Sequence, residues 1–279
     1  MAIVSTANLA RALNPVLVSL LEKEKGEGPD HMKLARIVER LLGPHAYFYF
    51  GVRHAAALSS GFTRERALDQ AMSYAHASEI EGDYLEFGVW RGRAFSAACY
   101  LAKKRGLPMK FYAFDSFCGF PTNDEQDVAG RKWYHEGVYK YSEGEFLKNV
   151  RRTGADMKRV FVVPGFFEES LRPDNPLVRD LRKAAVVWID CDLYSSTRTV
   201  LDFITPYLQY GTLLLFDDWF AFLADPNAGQ QRAFREWLEK NPQLRAVELM
   251  RFGWCGNSFV IHLTDEPKAN SGGNTAAVR

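Results

Sequence analysis

Hydrophobic and polar positions divide the chain into two textures that meet near residue 80. Ahead of that point, apolar residues recur three and four positions apart. "DHMKLARIVERLL" follows an aspartate suited to cap a helix, and "RERALDQAMSYAHASE" repeats the spacing. Residues 5–21 and 31–80 therefore read as mainly helical, with "EKEKGEGPD" at 22–30 as an exposed turn or linker. From residue 83 onward, short apolar runs alternate with helical stretches. "YLEFGV", "KFYAFDSF", "RVFVVPG", "AAVVWIDC" and "GTLLLFD" predict five strands. "AFSAACYLAKKRG", "SSTRTVLDFITPYLQY" and "GQQRAFREWLEKN" predict helices among and after them. "LRAVELMRF" and "NSFVIHL" predict a closing antiparallel pair. Strands separated by helices make βαβ units and a sheet covered on both faces. The expected fold is α/β, a doubly wound, mostly parallel sheet with a terminal antiparallel pair, preceded by an N-terminal helical extension. The expected divisions are a helical cap or oligomerisation region over 1–80, the sheet domain over 81–264, and a disordered tail over 265–279.

Two of the apolar runs end in acid. "AAVVWIDCD" carries Asp190 and Asp192, and "GTLLLFDDW" carries Asp217 and Asp218. Ionised carboxylates are costly to bury unless paired, hydrogen-bonded or metal-bound. Doubly wound sheets bind ligands beyond the carboxyl ends of their strands, and these acids fall there. Helix capping is the competing reading: Asp192 ahead of "SSTRTVLDF", Asp217 and Asp218 ahead of Trp219.

Composition narrows the classes. The 279 residues are 47% hydrophobic and 25% charged, enough for a sizeable core. A net charge of +1 offers no basic field for nucleic acid. No apolar run approaches the roughly 18–20 residues of a membrane-spanning helix, and Arg11 and Pro15 interrupt the only stretch resembling a leader. Cys99, Cys118, Cys191 and Cys255 show no metal-binding spacing, so a reduced, cytoplasmic protein is expected.

The first strand runs into "EFGVWRGR". Glycines at the second and third positions of a dinucleotide fingerprint are missing: Trp90 and Arg93 stand there. A dehydrogenase is disfavoured. The pattern that remains, Glu86-x-Gly88 with Gly92 beyond, suits close backbone approach to a ligand. Asp115, at the end of the second strand, is placed to accept hydrogen bonds from two ribose hydroxyls, with Ser116 adjoining it; capping the next turn is the alternative. After the third strand, Gly165 and Phe166 stand where an adenine ring could stack, or Phe166 is ordinary core.

Taken together, "YLEFGVWRG", "FYAFDSFCGFP", "PGFFEESL", "IDCDLYSST" and "LLLFDDW" resemble the macrocin O-methyltransferase family over about residues 80–240. The resemblance implies a Rossmann-like class I methyltransferase fold, S-adenosylmethionine, a divalent cation such as Mg2+, a sugar or glycoside acceptor, a helical N-terminal cap and a homo-oligomer, with no nucleic-acid or membrane partner. Carried over residue by residue, it implies a cofactor set of Glu86, Gly88, Asp115, Ser116, Gly165, Phe166 and Asp190. It implies metal ligands Asp190, Asp217 and Asp218, and Asp192 as the general base. An aspartate with a pKa of about 3.9 is too weak a base to deprotonate an aliphatic hydroxyl alone; a metal lowers the pKa of a bound oxygen by roughly eight units. Trp219 departs from the family, where a smaller aromatic is expected, and the apolar segment 219–229 is expected to reshape the acceptor pocket. Tyr194 and Trp219 are candidates for packing on a sugar, Gln230 or Arg232 for touching substrate, and the stretch around His135 for a lid or a surface loop. Two other readings remain open: a catechol-like or other small acceptor, and a nucleotide-binding module without catalysis.

Overall fold

The computed structural model describes residues 63–121 and 135–264; the helices expected before residue 63 and the tail expected after 264 lie outside the described residues. In chain order the elements are helix α1 (Arg64–Ala77), β1 (Asp83–Phe87), α2 (Arg93–Arg105), β2 (Phe111–Asp115), α3 (Glu143–Arg152), β3 (Val160–Pro164), a single turn α4 (Phe167–Ser170), β4 (Ala184–Ile189), α5 (Tyr194–Ile204), β5 (Leu213–Phe216), α6 (Gly229–Lys240), β6 (Leu244–Phe252) and β7 (Gly256–Leu263). The seven strands form one sheet in the order β3-β2-β1-β4-β5-β7-β6. The first five are parallel, and β7 enters antiparallel between β5 and β6.

Period-two alternation assigns each strand residue to one of two apolar layers. Tyr84, Trp188, Leu213 and Leu215 pack against α1, α2 and α3. Leu85, Phe87, Val187, Ile189, Leu214 and Phe216 pack against α5 and α6 on the other face. Helix α1 contributes Ala67, Leu68, Ala71 and Met72, all fully buried, to the first layer. It is therefore packed onto the sheet itself.

All seven expected strands and the helices flanking them are present. The connection between β2 and β3, where a lid or surface loop was expected around His135, contains a further helix, α3. Ser142 caps its start, its side chain accepting from the Glu145 N–H at 3.3 Å. Phe146 and Val150, one turn apart, are buried against α2, with Phe146 edge-on to Phe95 at 5.4 Å. A parallel β2-to-β3 connection needs such a crossover.

One backbone approach fixes how the central strands end. Gly88 has φ +84°, and a Cβ there would lie 1.9 Å from the Asp190 carbonyl oxygen. The glycine is required by the neighbouring strand, before any ligand is considered. We expect Gly88→Ala to cost more than about 2 kcal/mol, strain and clash together, against about 1 kcal/mol for Gly106→Ala. Gly106 has φ +69° and nothing within 4 Å of an added Cβ. Urea unfolding of the two variants checks this; equal losses would contradict it.

Candidate active site

The sheet register builds the site. Phe114, Phe87, Ile189 and Phe216 stand side by side across β2, β1, β4 and β5. The next residues along the chain are Asp115, Gly88, Asp190 and Asp217. Four motifs far apart in sequence thus reach one level at the carboxyl edge of the sheet. Above them opens a cavity of about 560 Å³, within the usual range for a small-molecule site.

Gly88, Asp115, Ser116, Gly165, Phe166, Asp190, Asp192 and Asp218 all line that cavity. Glu86 and Asp217 do not. The Asp115 carboxylate is already engaged: Oδ2 accepts from the Val89 and Trp90 N–H groups at 2.9 and 3.0 Å, and Oδ1 from Phe117 N–H at 2.7 Å. It caps its own turn and holds the β1–α2 turn at once. A carboxylate offers about four lone-pair directions, so one direction remains for a ligand, where two ribose hydroxyls were expected. Ser116 ties the turn through its hydroxyl to Gly119 O at 2.9 Å. Gly165, at φ +125°, leaves only the Ser170 side chain near a Cβ position.

The acids at the other end form a cluster. Asp190, Asp192 and Asp218 each present a carboxylate oxygen, and the three lie within 4.8 Å of one another. Asp192 adopts φ +57°, a left-handed conformation that aspartate tolerates better than most residues. Its N–H donates to Asp218 Oδ2 at 3.2 Å. The residue at the N-cap of α5 is Leu193, which supplies no side-chain cap. Asp218 N–H donates to Gln230 Oε1 at 3.0 Å, and Gln230 Nε2 donates to Ile189 O at 3.2 Å.

Asp192 joins two of the expected ligands, Asp190 and Asp218, in this group, and the third, Asp217, stays in side-chain contact with Asp190. Side chains leaving a strand in succession point to opposite sides, and Asp217 falls on the side of α1. There its carboxylate, 1% exposed, pairs with the guanidinium of Arg64, the first residue of that helix. Burial pushes the Asp217 and Asp218 carboxyls well above the ordinary range. Asp190 adds to this at Asp217, Asp192 and Asp190 add to it at Asp218, and Arg64 opposes it at both. Asp190 is raised by burial and held back by Arg64.

Glu86 lies below the main cavity, on a smaller one of about 140 Å³ that also touches Arg64, Arg91, Asn149 and Asp190. It is 1% exposed and accepts from Tyr84 Oη at 2.5 Å. Gln230, expected near substrate, is fully buried behind Asp218. Arg232 lies 4.2 Å over the Tyr194 ring and pairs with Glu236 at 2.8 Å, and Tyr194 donates to Glu236 at 2.7 Å. Neither Arg232 nor Tyr194 reaches the cavity. Trp219 packs among Phe216, Phe234 and Phe259 instead of facing a sugar. His135 does not line the cavity either, but Tyr139, four residues on, does. Its ring meets Trp90 at 5.7 Å and Phe120 at 5.5 Å. Burial and the nearby Asp192, Asp218 and Asp190 raise its phenol pKa. Trp90, Tyr139 and Trp254 are all exposed along the cavity wall. Aromatic density in "RKWYHEGVY" and in "FGWCG" was the available signal for Tyr139 and Trp254; nothing local marked Arg64.

Glu86 gives a test of site electrostatics. Burial raises its pKa well above the ordinary value, and the charges of Asp190 and Asp217 add to the shift while the Tyr84 hydrogen bond opposes it. The folded state then holds a proton that the unfolded state releases above about pH 4.3. Its contribution is complete below that pH and declines as pH rises toward the folded value, by roughly 1.4 kcal/mol per pH unit across the window. Glu86→Gln, which mimics the protonated acid, removes that slope. The variant is expected to match the wild type near pH 4 and exceed it at pH 8 in denaturant midpoint. Parallel curves for the two proteins would refute a protonated Glu86.

Comparison with known proteins gives a concordant picture. The sequence model of the family described as Macrocin-O-methyltransferase (TylF) matches residues 53–251. The 8-demethyl-8-(2,3-dimethoxy-alpha-L-rhamnosyl)-tetracenomycin-C 4'-O-methyltransferase of Streptomyces olivaceus is 29% identical over 164 residues, covering 57% of this chain and 61% of that protein. The demethyldecarbamoylnovobiocin O-methyltransferase of Streptomyces niveus is 31% identical over 170 residues, with 57% and 61% covered. The mycinamicin III 3''-O-methyltransferase of Micromonospora griseorubida is 30% identical over 176 residues, with 57% and 63% covered. The chain thus spans under two thirds of the length of these curated relatives. Among solved structures, the O-methyltransferase NovP superposes with a TM-score of 0.60 at 24% identity, over 71% of this chain and 78% of that one. The calicheamicin methyltransferase CalS11 gives 0.62 at 20% identity, over 84% and 94%. These likenesses establish the Rossmann-like methyltransferase fold.

Proposed function

The chain belongs to the macrocin O-methyltransferase family, and we propose from that premise that it is an S-adenosylmethionine- and divalent-cation-dependent O-methyltransferase acting on a hydroxyl of a sugar or glycosylated natural product. The observation that carries this reading is the single cavity, which joins the nucleoside-type wall of Asp115, Ser116, Gly165 and Phe166 to the carboxylates Asp190, Asp192 and Asp218. The sugar acceptor is supported by the relatives, two of which are named for methylating a numbered oxygen, one of them on a rhamnosyl-bearing tetracenomycin.

The residues suit both groups. The wall at Gly165 is open to a planar base, and Asp115 retains one acceptor direction for a ribose hydroxyl. A cluster of carboxylates, offering oxygen donors alone, suits magnesium. S-adenosylmethionine supplies an electrophilic methyl group on a sulfonium, and the cation supplies charge that lowers the pKa of an adjacent hydroxyl. In this reading Asp190, Asp217 and Asp218 would hold the cation, and Asp192 would accept the proton of the acceptor hydroxyl. Asp115, Ser116, Gly165 and Phe166 orient the nucleoside. Trp90, Tyr139 and Trp254 wall the acceptor side and keep water away from it. Gln230 fixes the backbone that carries Asp218. The enzyme is a cytoplasmic homo-oligomer.

The test is methyl transfer from S-adenosylmethionine to a panel of deoxysugar glycosides and catechols, with Mg2+ and with EDTA. Transfer to a glycoside that stops with EDTA is expected. Transfer restricted to catechols, or insensitive to EDTA, would overturn the acceptor or the cation assignment respectively. Asp192→Asn is expected to retain calorimetric binding of S-adenosylhomocysteine while transfer falls by about 10²–10⁴-fold, the usual worth of a general base. An unchanged rate would remove Asp192 from that role.

A further inference from the structure

We infer that Trp188 is a positioning residue for the cation site: its indole N–H meets the Asp190 carboxylate from the sheet side and fixes how that carboxylate is presented to the cavity. The inference rests on the cation-binding reading of Asp190 given above. Among the described residues, Trp188 Nε1 and Tyr112 Oη are the buried side-chain polar atoms with no hydrogen-bond partner. A buried donor left unsatisfied costs about 1–3 kcal/mol, so each calls for a physical reason. Tyr112 belongs to the apolar layer under α5 and α6. Trp188 belongs to the opposite layer, on the face that carries Asp190.

Register decides what the indole faces. Trp188 stands between Glu86 on β1 and Leu215 on β5. Asp190 follows two residues later, and its N–H still pairs with Phe87 O at 2.9 Å, so strand geometry extends to it. Strand β1 shows the same arrangement completed: Tyr84, two residues ahead of Glu86, donates its hydroxyl to that carboxylate at 2.5 Å. Both neighbouring strands thus carry an aromatic donor two positions ahead of an acid. On β4 the contact is looser, outside ordinary hydrogen-bond geometry. It still acts: after Arg64, the Trp188 side chain holds the Asp190 carboxyl back from the rise that burial imposes. Trp188 is fully buried and lines neither cavity, whereas Asp190 lines both. The indole ring is held against Phe252 at 5.2 Å, within the layer of Leu213, Leu215 and Met250. The other residues of β4 are alanine, valine and isoleucine, so no other side chain of that strand supplies a donor. Partners that orient a ligating carboxylate are worth about 10–100-fold in metal affinity.

Two measurements on the full chain test this. The first is the nuclear magnetic resonance of the indole N–H groups, in which the Trp188 signal is the one missing from Trp188→Phe. Asp190→Ala, which removes the acceptor, is expected to move that signal upfield; a signal left in place overturns the inference. The second is Mn2+ binding, read by electron paramagnetic resonance of the free ion without cofactor or acceptor. Trp188→Phe is expected to weaken it by about 10–100-fold. Benzothienylalanine incorporated at position 188 keeps the ring shape and loses only the N–H. It carries the same expectation, and it decides the matter should circular dichroism show the phenylalanine variant unfolded. Wild-type affinity with this isostere overturns the inference, because ring packing alone would then suffice. A wild-type chain that binds no Mn2+ would instead sink the cation reading, and this inference with it; binding in wild type lost by Asp190→Asn keeps that reading whatever Trp188 does.

Discussion

The site depends on one register. Because Phe114, Phe87, Ile189 and Phe216 align across four parallel strands, the residues that follow them meet at a common level. A one-residue slip in any strand would turn its apolar set to the wrong layer. The two apolar layers therefore hold the register, and the register holds the chemistry. The close passage of Gly88 over the Asp190 carbonyl locks β1 to β4 where the Asp115 side of the cavity meets the acids.

Most of this frame was legible in the sequence, because it is written in local patterns. Apolar runs of strand length, acid at their ends and helical spacing between them place β1 through β7 and put Asp115, Asp190 and Asp218 at the carboxyl edge. Helix α3 was not read from the sequence, although Ser142 and an apolar pair one turn apart, Phe146 and Val150, were its local signal. What local pattern cannot carry is which side chain meets which. Gln230 looked like a substrate contact because it follows the acidic motif, yet α6 turns it inward behind Asp218. Tyr194 and Trp219 adjoin acids in sequence and face elsewhere in space. Asp217 and Asp218 are neighbours whose surroundings diverge because consecutive side chains part. The ion-pair partner of Asp217, Arg64, lies 153 positions away.

The electrostatic arrangement follows from the same geometry. Four carboxylates close to one another would repel, and burial would protonate them. One guanidinium on the α1 side relieves part of that load, and the left-handed turn at Asp192 brings its N–H onto Asp218. Cys255 contributes its thiol to the Asp217 carbonyl, which links the β6–β7 hairpin to the end of β5. The acids are thus braced from three elements before any ligand arrives.

The wall opposite the acids is built differently. Tyr139 precedes α3 in a connecting segment, and Trp254 sits in the hairpin between β6 and β7. Neither belongs to the two large apolar layers that hold the sheet. Loops carried on a rigid scaffold tolerate change that the scaffold itself does not. Substitutions at these positions would alter the shape of the cavity without disturbing the strand ends that gather the acids. An evolving lineage could therefore vary what the cavity admits while inheriting the acidic framework intact.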